Sequence, residues 1–485
     1  MNVNPITRLD YPDPDVIRVE DTYYMVSTTM HFMPGCEILQ SFDLVHWEHV
    51  TYVYETLDHT DAQQLKSGQN IYGQGMWAAS LRYHEGRFYI CFVANDTRKT
   101  YLYTSEKIDG PWKKQLIEGF YHDGSLLFDE DGRNYIVYGN DEIWITELNE
   151  DLTAPKKDGL HRLLVSDHKN PELGYEGSHI QKINGYYYIF LVHSLRDRWM
   201  RTEACFYSDS LEGEFTGGDV LCDDRGYCGQ GVAQGGIVDT PDGKWYAMLF
   251  QDSGAVGRIP ILLPVTWKDH FPFFGQNGHV PEEIEVHSTR PGYIYQPLVG
   301  SDDFCNGLLP RWQFNHDPDP RYYHLDALQG TYTITTREVC TELTQAVNTL
   351  TQRMSYPSCA AEVTVDASAL KEGDVAGLCA LQSCYAAVGI TKHHGKYEVL
   401  MLDKKEDGIL DMTEGTVVES HQMDFRLEAD FCNMKDEARC YYRVNKGDWL
   451  PIGTVHKLYF KLDHFTGCRF GLFCYAAEET GGSAC

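Results

Sequence analysis

The sequence contains no long hydrophobic run and no basic segment at its N-terminus. The 485-residue chain opens with Met1-Asn2-Val3-Asn4-Pro5, which has neither the positive charge nor the apolar stretch of a secretory signal. No segment approaches the roughly 20 apolar residues that a membrane-spanning helix requires. Together these absences predict a cytoplasmic protein without a membrane partner.

Positive charge is also scarce. Lys and Arg number 41 against 71 Asp and Glu, which leaves a formal net charge of −30. Nucleic acids and anionic membrane surfaces are recognised through Lys and Arg, so the charge balance argues against both as partners. A neutral substrate fits this charge best.

The cysteines follow no pairing pattern. There are 15 of them, an odd number, and no two are spaced as Cys-x-x-Cys. In a chain without a secretory signal, scattered cysteines are typical of reduced thiols, many of them buried in the core.

Aromatic and other hydrophobic residues are plentiful. Aromatics make up 13% and all hydrophobic residues 42% of the chain. This composition favours β-strands and sites where a flat ring stacks on a ligand. Because 485 residues exceed what one ordinary core organises, the length predicts two domains.

Five copies of one pattern occupy the first half of the chain. Each copy has a small or acidic residue, an apolar strand, a tight turn and an aromatic strand. Three of the turns are Asp-Gly or Asn-Gly, the strongest short signal of a hairpin. The copies open at Asp13, Ala78, Asp123, Glu176 and Gln234. Their blade-sized spacing predicts an all-β fold that begins with a five-bladed β-propeller.

The repeat stops after Trp267, and a different pattern follows. The stretch from Pro281 to Gly300 contains Pro, Gly and mixed charges, as a linker does. From Asp302 onward, short alternating strands are separated by turns, which is typical of an antiparallel β-sandwich. We therefore expect a propeller over residues 1–290 and a sandwich over residues 301–485.

The opening residue of each repeat is expected to face the propeller axis, because the innermost strand of every blade lines the central channel. Asp13, Asp123 and Glu176 would then meet in one funnel. Crowding raises the pKa of at least one carboxylate, and glycoside hydrolysis needs a protonated acid beside an ionised base. The alternative is that each residue only caps a turn. That reading suits one such residue better than three in register.

Three further residues suit a sugar site. Trp77 precedes the axial position of the second repeat and Phe32 follows the first repeat, so either ring is a candidate for stacking on a sugar. Packing in the core is the alternative for both. Arg258 follows the fifth repeat on a glycine-rich turn, where it either pairs with an axial carboxylate and keeps it ionised or lies at the surface.

These residues resemble family 43 of the glycoside hydrolases over essentially the whole chain. The motifs that carry the resemblance are Tyr11-Pro12-Asp13-Pro14-Asp15, Phe32-Met33-Pro34-Gly35, Met76-Trp77-Ala78, His122-Asp123-Gly124-Ser125-Leu126, Tyr175-Glu176-Gly177-Ser178-His179 and the segment 312–320. The resemblance implies that Asp13 is the general base and Glu176 the general acid. It implies that Asp123 orients the acid and tunes its pKa.

The resemblance also implies an inverting reaction in a pocket that a loop of the sandwich helps to close. The candidate loop here is Gln382-Ser383-Cys384-Tyr385, with Tyr385 as a substrate-binding residue. Many relatives place a His at the axial position of the last blade, where it helps to hold a hydrated calcium ion. This chain has Gln234, whose amide oxygen is able to ligate calcium. No cofactor is expected to be required, and a structural calcium in the channel is left open.

Three functions remain open at this point. The first is an exo-acting pentosidase, a β-D-xylosidase or α-L-arabinofuranosidase or both, acting on xylo- or arabino-oligosaccharides. The second is another sugar reaction, as in an endo-arabinanase or a phosphorylase. The third is a non-catalytic carbohydrate-binding protein, against which the three axial carboxylates argue. A homo-oligomer is compatible with the sequence.

Overall fold

β-Strands make up nearly all of the regular structure. The computed structural model describes residues 2–413 and 415–485. The helices within these ranges are four single 3-10 turns, at Lys66–Gly68, Gly254–Val256, Leu343–Gln345 and Cys432–Met434. None of the described helices has the length and apolar character needed to cross a membrane. The all-β prediction is confirmed.

Five four-stranded antiparallel sheets, here called sheets 1 to 5, follow one another along the first half of the chain. Sheet 1 comprises Asp15–Val19, Thr22–Val26, Gly35–Ser41 and Glu48–Tyr54, and sheet 2 comprises Met76–His84, Arg87–Ala94, Lys99–Ser105 and Lys113–Ile117. Sheet 3 comprises Ser125–Phe128, Asn134–Asn140, Glu142–Leu148 and His161–Ser166. Sheet 4 comprises Glu176–Ile183, Tyr186–Ser194, Arg201–Ser208 and Thr216–Leu221, and sheet 5 comprises Val232–Asp239, Trp245–Asp252, Arg258–Lys268 and Phe271–Phe274.

The predicted tight turns join the first two strands of these sheets. At Asn184-Gly185 both residues have positive φ, 52° and 84°, and the flanking residues Ile183 and Tyr186 pair across the hairpin. Two-residue hairpins need this left-handed backbone because it matches the twist of the strands, and Asn and Gly adopt it at low cost. The sequence signal and the observed turn therefore have the same physical cause.

The first strands of the five sheets pack side by side in a ring. Each contacts the first strand of the next sheet, from sheet 1 through sheet 5 and back to sheet 1. Hydrogen bonds join neighbours at equal heights: the N–H of Leu126 donates to Ser80 Oγ at 3.2 Å, and that of Ile180 donates to Ser125 Oγ at 3.0 Å. Separate sheets are thus tied together at their inner edges.

Arg82 crosses the middle of this ring. Its guanidinium forms an ion pair with Asp15 of sheet 1 at 2.7 Å, and it donates to Ser125 Oγ of sheet 3 at 2.7 Å and to the carbonyl of Ile180 in sheet 4 at 3.3 Å. Asp15 is fully buried, and its other oxygen lies 3.1 Å from Nδ1 of His179. One cation on sheet 2 therefore holds sheets 1, 3 and 4 in a fixed relation.

Two antiparallel sheets face each other in the second half of the chain and enclose an apolar core. The smaller sheet comprises Ser358–Asp366, Gln422–Asp430, Glu437–Arg443 and Leu450–Lys457. The larger sheet comprises, in spatial order, Leu410–Met412, Lys396–Lys404, Ala386–His393, Asp374–Leu381, Arg469–Ala476, Leu350–Arg353, Gln313–Asn315 and Phe32–Met33, and Thr416–Val418 also pairs with Lys396–Lys404. Small sheets are formed by Tyr323–Asp326, Thr331–Thr335 and Ser483–Ala484, and by Asn2–Val3 with Glu283–Ile284.

The two halves of the chain share a β-ladder. Phe32 pairs with Asn315 and Met33 with Phe314, so a segment next to sheet 1 forms the edge of the larger C-terminal sheet. A buried ion pair between Glu37 and Arg353, at 2.8 Å, joins the same surfaces. The halves are therefore held together by backbone hydrogen bonds and by a desolvated charge pair.

The cysteines agree with the prediction of reduced thiols. All fifteen are free, and nine are buried. Burial of a thiol in apolar surroundings raises its pKa and makes it inert, as for Cys91, whose pKa rises to about 12. The expected cytoplasmic location stays a prediction.

We expect Arg82→Met to lower the free energy of unfolding by about 3–5 kcal/mol, because it leaves the buried carboxylate of Asp15 without its guanidinium. The midpoint and slope of urea unfolding measure this change. Arg87→Met is the matched control, since Arg87 lies on the same sheet half-exposed, with its nearest carboxylate 3.8 Å away. Equal stability of the two variants would contradict the role of Arg82.

Candidate active site

The structure brings the carboxylates of Asp123 and Glu176 together, with Asp13 beside them. Nε2 of His122 lies 3.6 Å from Asp123 Oδ2 and 3.5 Å from Glu176 Oε2. The negative charges of Glu176 and Asp13 both raise the pKa of Asp123, which places all three acids in one electrostatic cluster. Asp13 and Asp123 are each only 6% exposed.

Glu176 reaches this cluster from a different register than the repeat predicted. The hydrogen bonds that join the first strands make Leu126 and Ile180 equivalent positions. Counting back three residues gives Asp123 in sheet 3 but Gly177 in sheet 4. Sheets 2 and 5 have the same β-bulge as sheet 4, and there too the residue after the start of the bulge, Ala78 or Gln234, takes the axial position. The expectation that all three acids share one position is therefore wrong by one residue for Glu176.

Left-handed backbone marks the shared position. φ is 53° at Asp13, 48° at Asp123, 61° at Gln234 and 66° at Gly177. An added Cβ on Gly177 would lie 2.7 Å from Cγ of Gln234, so only glycine fits beside that side chain. Glycine takes the axial position in sheet 4, and the preceding residue, Glu176, supplies the carboxylate.

Both oxygens of Asp13 have a donor. Nη1 of Arg258 lies 3.0 Å from Oδ1, and the hydroxyl of Thr28 donates to Oδ2 at 2.5 Å. The N–H of Ala78 in turn donates to Thr28 Oγ1 at 2.8 Å. Two donors fix the plane of the carboxylate and leave each oxygen a further lone pair. The pairing proposed for Arg258 from the sequence is the one observed.

Burial and nearby charges give Asp123 a pKa that differs from those of His122 and Glu176. Burial raises the pKa of Asp123 to about 6; the charge of His122 opposes this rise, while Glu176 and Asp13 add to it. The negative charge of Asp123 raises the pKa of His122 to about 9, so the imidazole is protonated at neutral pH.

Glu176 lies in a more polar setting. Burial acts to raise its pKa, but a hydrogen bond from His122, the charges of His122 and Arg201 and a hydrogen bond from Asn140 together hold it below the ordinary value. Nδ2 of Asn140 donates to Glu176 Oε2 at 2.6 Å. In the free site, therefore, Asp123 and His122 bind protons more readily than Glu176 does.

Gln234 lies at the axial level of sheet 5 and is 5% exposed. Its backbone N–H donates to Oε2 of Glu203 at 2.7 Å. Glu203 is fully buried, its Oε1 has no partner within residues 2–413 and 415–485, and burial raises its pKa well above the ordinary range. Glu203 thus acts as a neutral support for the left-handed backbone at Gln234.

The residues around the axis do not fit the calcium ion that was left open. Calcium prefers six to eight oxygen ligands. The two carboxylate oxygens of Asp15 are already engaged by Arg82 and His179, and the guanidinium itself supplies a positive charge at that level. His122, Asp123 and Glu176 each place one ligand atom within 4.8 Å of the others, but this set offers one imidazole and two carboxylates, fewer oxygen ligands than calcium prefers. Gln234 therefore gains no support as a metal ligand.

Aromatic rings and guanidinium groups surround the carboxylates in a chain that we call the belt. Its members and the separations between successive groups are Trp199 and Arg201 (5.2 Å), Phe250 (5.3 Å), Arg258 (5.4 Å), Phe465 (4.5 Å), Trp77 (5.3 Å) and His122 (6.1 Å). The partly buried ring of Trp77 belongs to this chain, so it lies beside the carboxylates as the sequence predicted. Such a lining suits the apolar faces and hydroxyl edges of a sugar.

Phe32 and Tyr385 lie elsewhere. Both rings are fully buried in one apolar cluster beneath the larger C-terminal sheet. The guanidinium of Arg469 covers the Phe32 ring at 3.4 Å. Packing in the core was the alternative that the sequence left open for Phe32. This is the position observed, because its strand joins the C-terminal sheet. Neither ring presents a face on which a sugar is able to stack.

The loop of the C-terminal half that contacts Trp77 and Arg258 is 464–468 rather than 382–385. The N–H of Gly467 donates to Oδ2 of Asp10 at 2.8 Å, and the N–H of Arg258 donates to Oδ1 of the same residue at 2.7 Å. A Cβ on Gly467 would lie 2.2 Å from the carbonyl of Val256, so this close approach requires glycine. The side chain of Gln382 donates to the carbonyl of Thr466 and supports the loop from behind.

Sequence reasoning missed four residues of the site. His122 stands inside a quoted motif and directly precedes an axial acid, which was a usable signal. Trp199 and Arg201 come after the hairpin that begins at Glu176. The repeat pattern included this hairpin but pointed to neither residue. Phe465 gave no signal, since nothing local in the sequence shows that it crosses to residues such as Trp77.

A pair of carboxylates with separated pKa values, lined by rings and guanidinium groups, is the chemistry of a glycoside hydrolase. Residues 3–272 match the family model described as glycosyl hydrolases family 43, and residues 301–485 match the β-xylosidase C-terminal concanavalin A-like domain. The chain belongs to family 43 of the glycosyl hydrolases.

Named relatives support this membership. A β-xylosidase from Formosa agariphila is 26% identical over 99% of this chain and 88% of its own. A non-reducing end α-L-arabinofuranosidase from Bacteroides ovatus is 24% identical over 84% of this chain and 79% of its own. A solved structure from Bacteroides eggerthii, described as a bifunctional GH43-CE protein, is 42% identical with a TM-score of 0.93. It is matched over the whole of this chain, which spans 62% of that protein's length.

We expect His122→Asn to move the basic limb of the pH profile of kcat/KM upward by about one pH unit, the equivalent of about 1.4 kcal/mol. The charge of His122 lowers the pKa of Asp123 and of Glu176, so its removal keeps the catalytic acid protonated at higher pH. Rates on an unactivated oligosaccharide, whose departing oxygen needs protonation, measure the shift between pH 5 and pH 10. His161→Asn, a stacked histidine on the same sheet, is the control. A limb that moves downward would contradict the assignment.

Proposed function

We propose that this enzyme is an inverting exo-glycoside hydrolase that releases terminal pentoses from xylo- or arabino-oligosaccharides. The observation that carries the proposal is the cluster of Asp13, Asp123 and Glu176 inside a belt that the C-terminal half completes through Phe465. Relatives named β-xylosidase and α-L-arabinofuranosidase support the pentose. Either activity, or both, fits one pocket.

We propose further that sheets 1 to 5 are the blades of a closed five-bladed propeller within residues 1–290, followed by a β-sandwich within residues 301–485. The ring of contacts among the five first strands supports closure, and the guanidinium of Arg82 at its centre supports a filled axis. In this arrangement the carboxylates lie at one end of the axis, above Arg82.

We assign to the three acids the roles that membership of family 43 implies. Asp13 acts as general base: it takes a proton from a water molecule whose oxygen attacks the anomeric carbon as the glycosidic bond breaks. Glu176 acts as general acid and transfers its proton to the departing oxygen. Asp123 exchanges a proton with Glu176. His122, whose Nε2 lies 3.5 Å from Glu176 Oε2, gives a proton back to Glu176 after each turnover. Every step uses side chains of this chain alone.

Glu176 needs a proton that it holds weakly in the free site. Binding of a sugar excludes water and moves the departing oxygen against Glu176, and desolvation favours the neutral carboxylic acid. Because Asp123 and Glu176 titrate as a pair, a small change in surroundings is enough to move one proton between them. The lowered pKa of Glu176 in the free site is compatible with its role as the acid in the complex.

The geometry favours this function over the alternatives. An endo-arabinanase binds along an open groove, whereas here Phe465 of the C-terminal half packs on Trp77 beside the carboxylates, with the ring centres 5.3 Å apart. A phosphorylase needs uncompensated positive charge for phosphate, whereas the charges of Arg258 and Arg201 are balanced by Asp13 and Asp252 respectively. A purely sugar-binding protein has no use for a protonated carboxylic acid beside an ionised one.

We expect Glu176→Gln to reduce kcat/KM on xylo-oligosaccharides by about 10²–10⁴-fold, the usual contribution of a general acid. An aryl glycoside with a good leaving group needs little protonation, so its hydrolysis should fall far less. Asp13→Asn should abolish both, because water activation is needed in either reaction. Steady-state kinetics of the two variants on the two substrates provide the measurement. Equal losses for Glu176→Gln on both substrates would assign the acid elsewhere.

We expect the sugar released first to carry the anomeric configuration opposite to that of the substrate bond. Proton NMR recorded within the first minutes of hydrolysis reads this before mutarotation equalises the anomers. Xylotriose and an α-L-arabinofuranosyl-substituted xylotriose, tested side by side, identify the preferred pentose. Retention of configuration would overturn the role of Asp13 as a base acting on water.

A further inference from the structure

The hairpin that follows the first strand of sheet 4 rises beside Glu176. Glu176 pairs with Val192, and Val192 pairs with Glu203 on the next strand. Arg201 begins that strand two residues nearer the hairpin tip, and its charge acts on Glu176. The tip, residues 195–200, therefore extends past Glu176 at that end of sheet 4.

The guanidinium of Arg201 offers donors that the protein does not use. The side chain is 8% exposed and binds Asp252 through Nε at 2.9 Å. Its two terminal nitrogens meet no acceptor among the described residues, and neither is sealed from solvent. An almost buried guanidinium with free N–H groups favours a ligand that brings oxygen acceptors.

Trp199 covers the same guanidinium from the other side. Its ring stacks on Arg201 at 5.2 Å and remains 44% exposed. The tip is rigid: the N–H of Leu195 donates to the carbonyl of Met200 at 3.1 Å, and the N–H of Met200 donates to Ser194 Oγ at 2.8 Å. A fixed, exposed indole beside unused donors is a ready platform for the apolar face of a sugar ring.

We propose that Trp199 and Arg201 form the binding site for the sugar unit that leaves, with its ring on the indole and its hydroxyls accepting from the terminal nitrogens of Arg201. The inference rests on the proposed role of Glu176 as the acid. Asp252, Glu176 and Asp13 surround Arg201 and balance its charge. The occupant is accordingly a neutral pyranose unit of the oligosaccharide rather than an anionic one.

Trp199→Ala tests the site with two kinds of leaving group. The oligosaccharides are xylotriose and an α-L-arabinofuranosyl-substituted xylotriose, and the corresponding glycosyl fluorides release fluoride, which occupies none of this surface. We expect kcat/KM on the oligosaccharide to fall about tenfold, the loss of one ring contact of about 1.4 kcal/mol. Hydrolysis of the fluoride should stay within twofold of wild type.

The control variant is Trp449→Ala. Trp449 also stacks on an arginine, Arg443, at 4.2 Å, but it lies in the loop just before the strand Leu450–Lys457 of the smaller C-terminal sheet. It should leave both rates unchanged. Wild-type protein that hydrolyses none of the four compounds would overturn the proposed function and this inference with it. Unchanged oligosaccharide kinetics in Trp199→Ala, or an equal loss on the fluoride, would overturn this inference alone.

A binding measurement separates recognition from catalysis. Xylobiose added during hydrolysis of the fluoride should inhibit wild type and inhibit Trp199→Ala about tenfold more weakly, since the leaving unit then binds without reacting. Arg201→Lys keeps the charge beside Glu176 but loses the planar pair of donors. It should weaken the same inhibition while the pH profile on the fluoride stays in place. Unaltered inhibition in both variants would contradict the proposed site.

Discussion

The buried contact between Arg82 and Asp15 is the constraint on which the rest of the site depends. Among the described residues, no backbone hydrogen-bond ladder joins one of sheets 1 to 5 to the next. Side chains at the centre must therefore set the position of each sheet along the common axis. Arg82 sets them by bonding to sheets 1, 3 and 4 at once, while His179 holds the second oxygen of Asp15. A buried ion pair contributes little net stability compared with apolar packing, but its directional bonds admit one arrangement. That arrangement fixes the level at which Asp13 and Asp123 stand.

Above this layer, each acid has different partners, and the differences divide the chemistry among them. Asp13 binds a guanidinium and a hydroxyl, Asp123 is buried beside His122, and Glu176 accepts from Asn140. Burial alone would raise the pKa of both Asp123 and Glu176, and the neighbouring charges and hydrogen-bond donors decide the outcome for each. The outcome in the free site is a raised pKa for Asp123 rather than for the proposed acid.

Most of the architecture was predictable from the sequence because hairpin turns and alternating strands are local signals. Asp13 and Asp123 could be placed from the repeat for the same reason. Glu176 stands one residue before the axial position, an offset that the repeat pattern does not show. The sequence left two readings of Phe32, and the pairing of its strand with Asn315 decides for the core; Phe465 was missed because its contact with Trp77 spans most of the chain. Contacts of this kind are set by how two halves of a protein dock, which no local pattern encodes.

The docked halves give the pocket one closed side and one open side. Phe465 closes the side next to Trp77, and Arg258 holds both the carbonyl of Phe465, at 3.5 Å, and the carboxylate of Asp13. The position of the closing loop and the orientation of the proposed base are therefore set by one guanidinium and cannot vary independently. On the other side the belt ends at Trp199, which is exposed. A site that Phe465 covers on one side and that is exposed at Trp199 on the other suits an enzyme that acts on the ends of sugar chains.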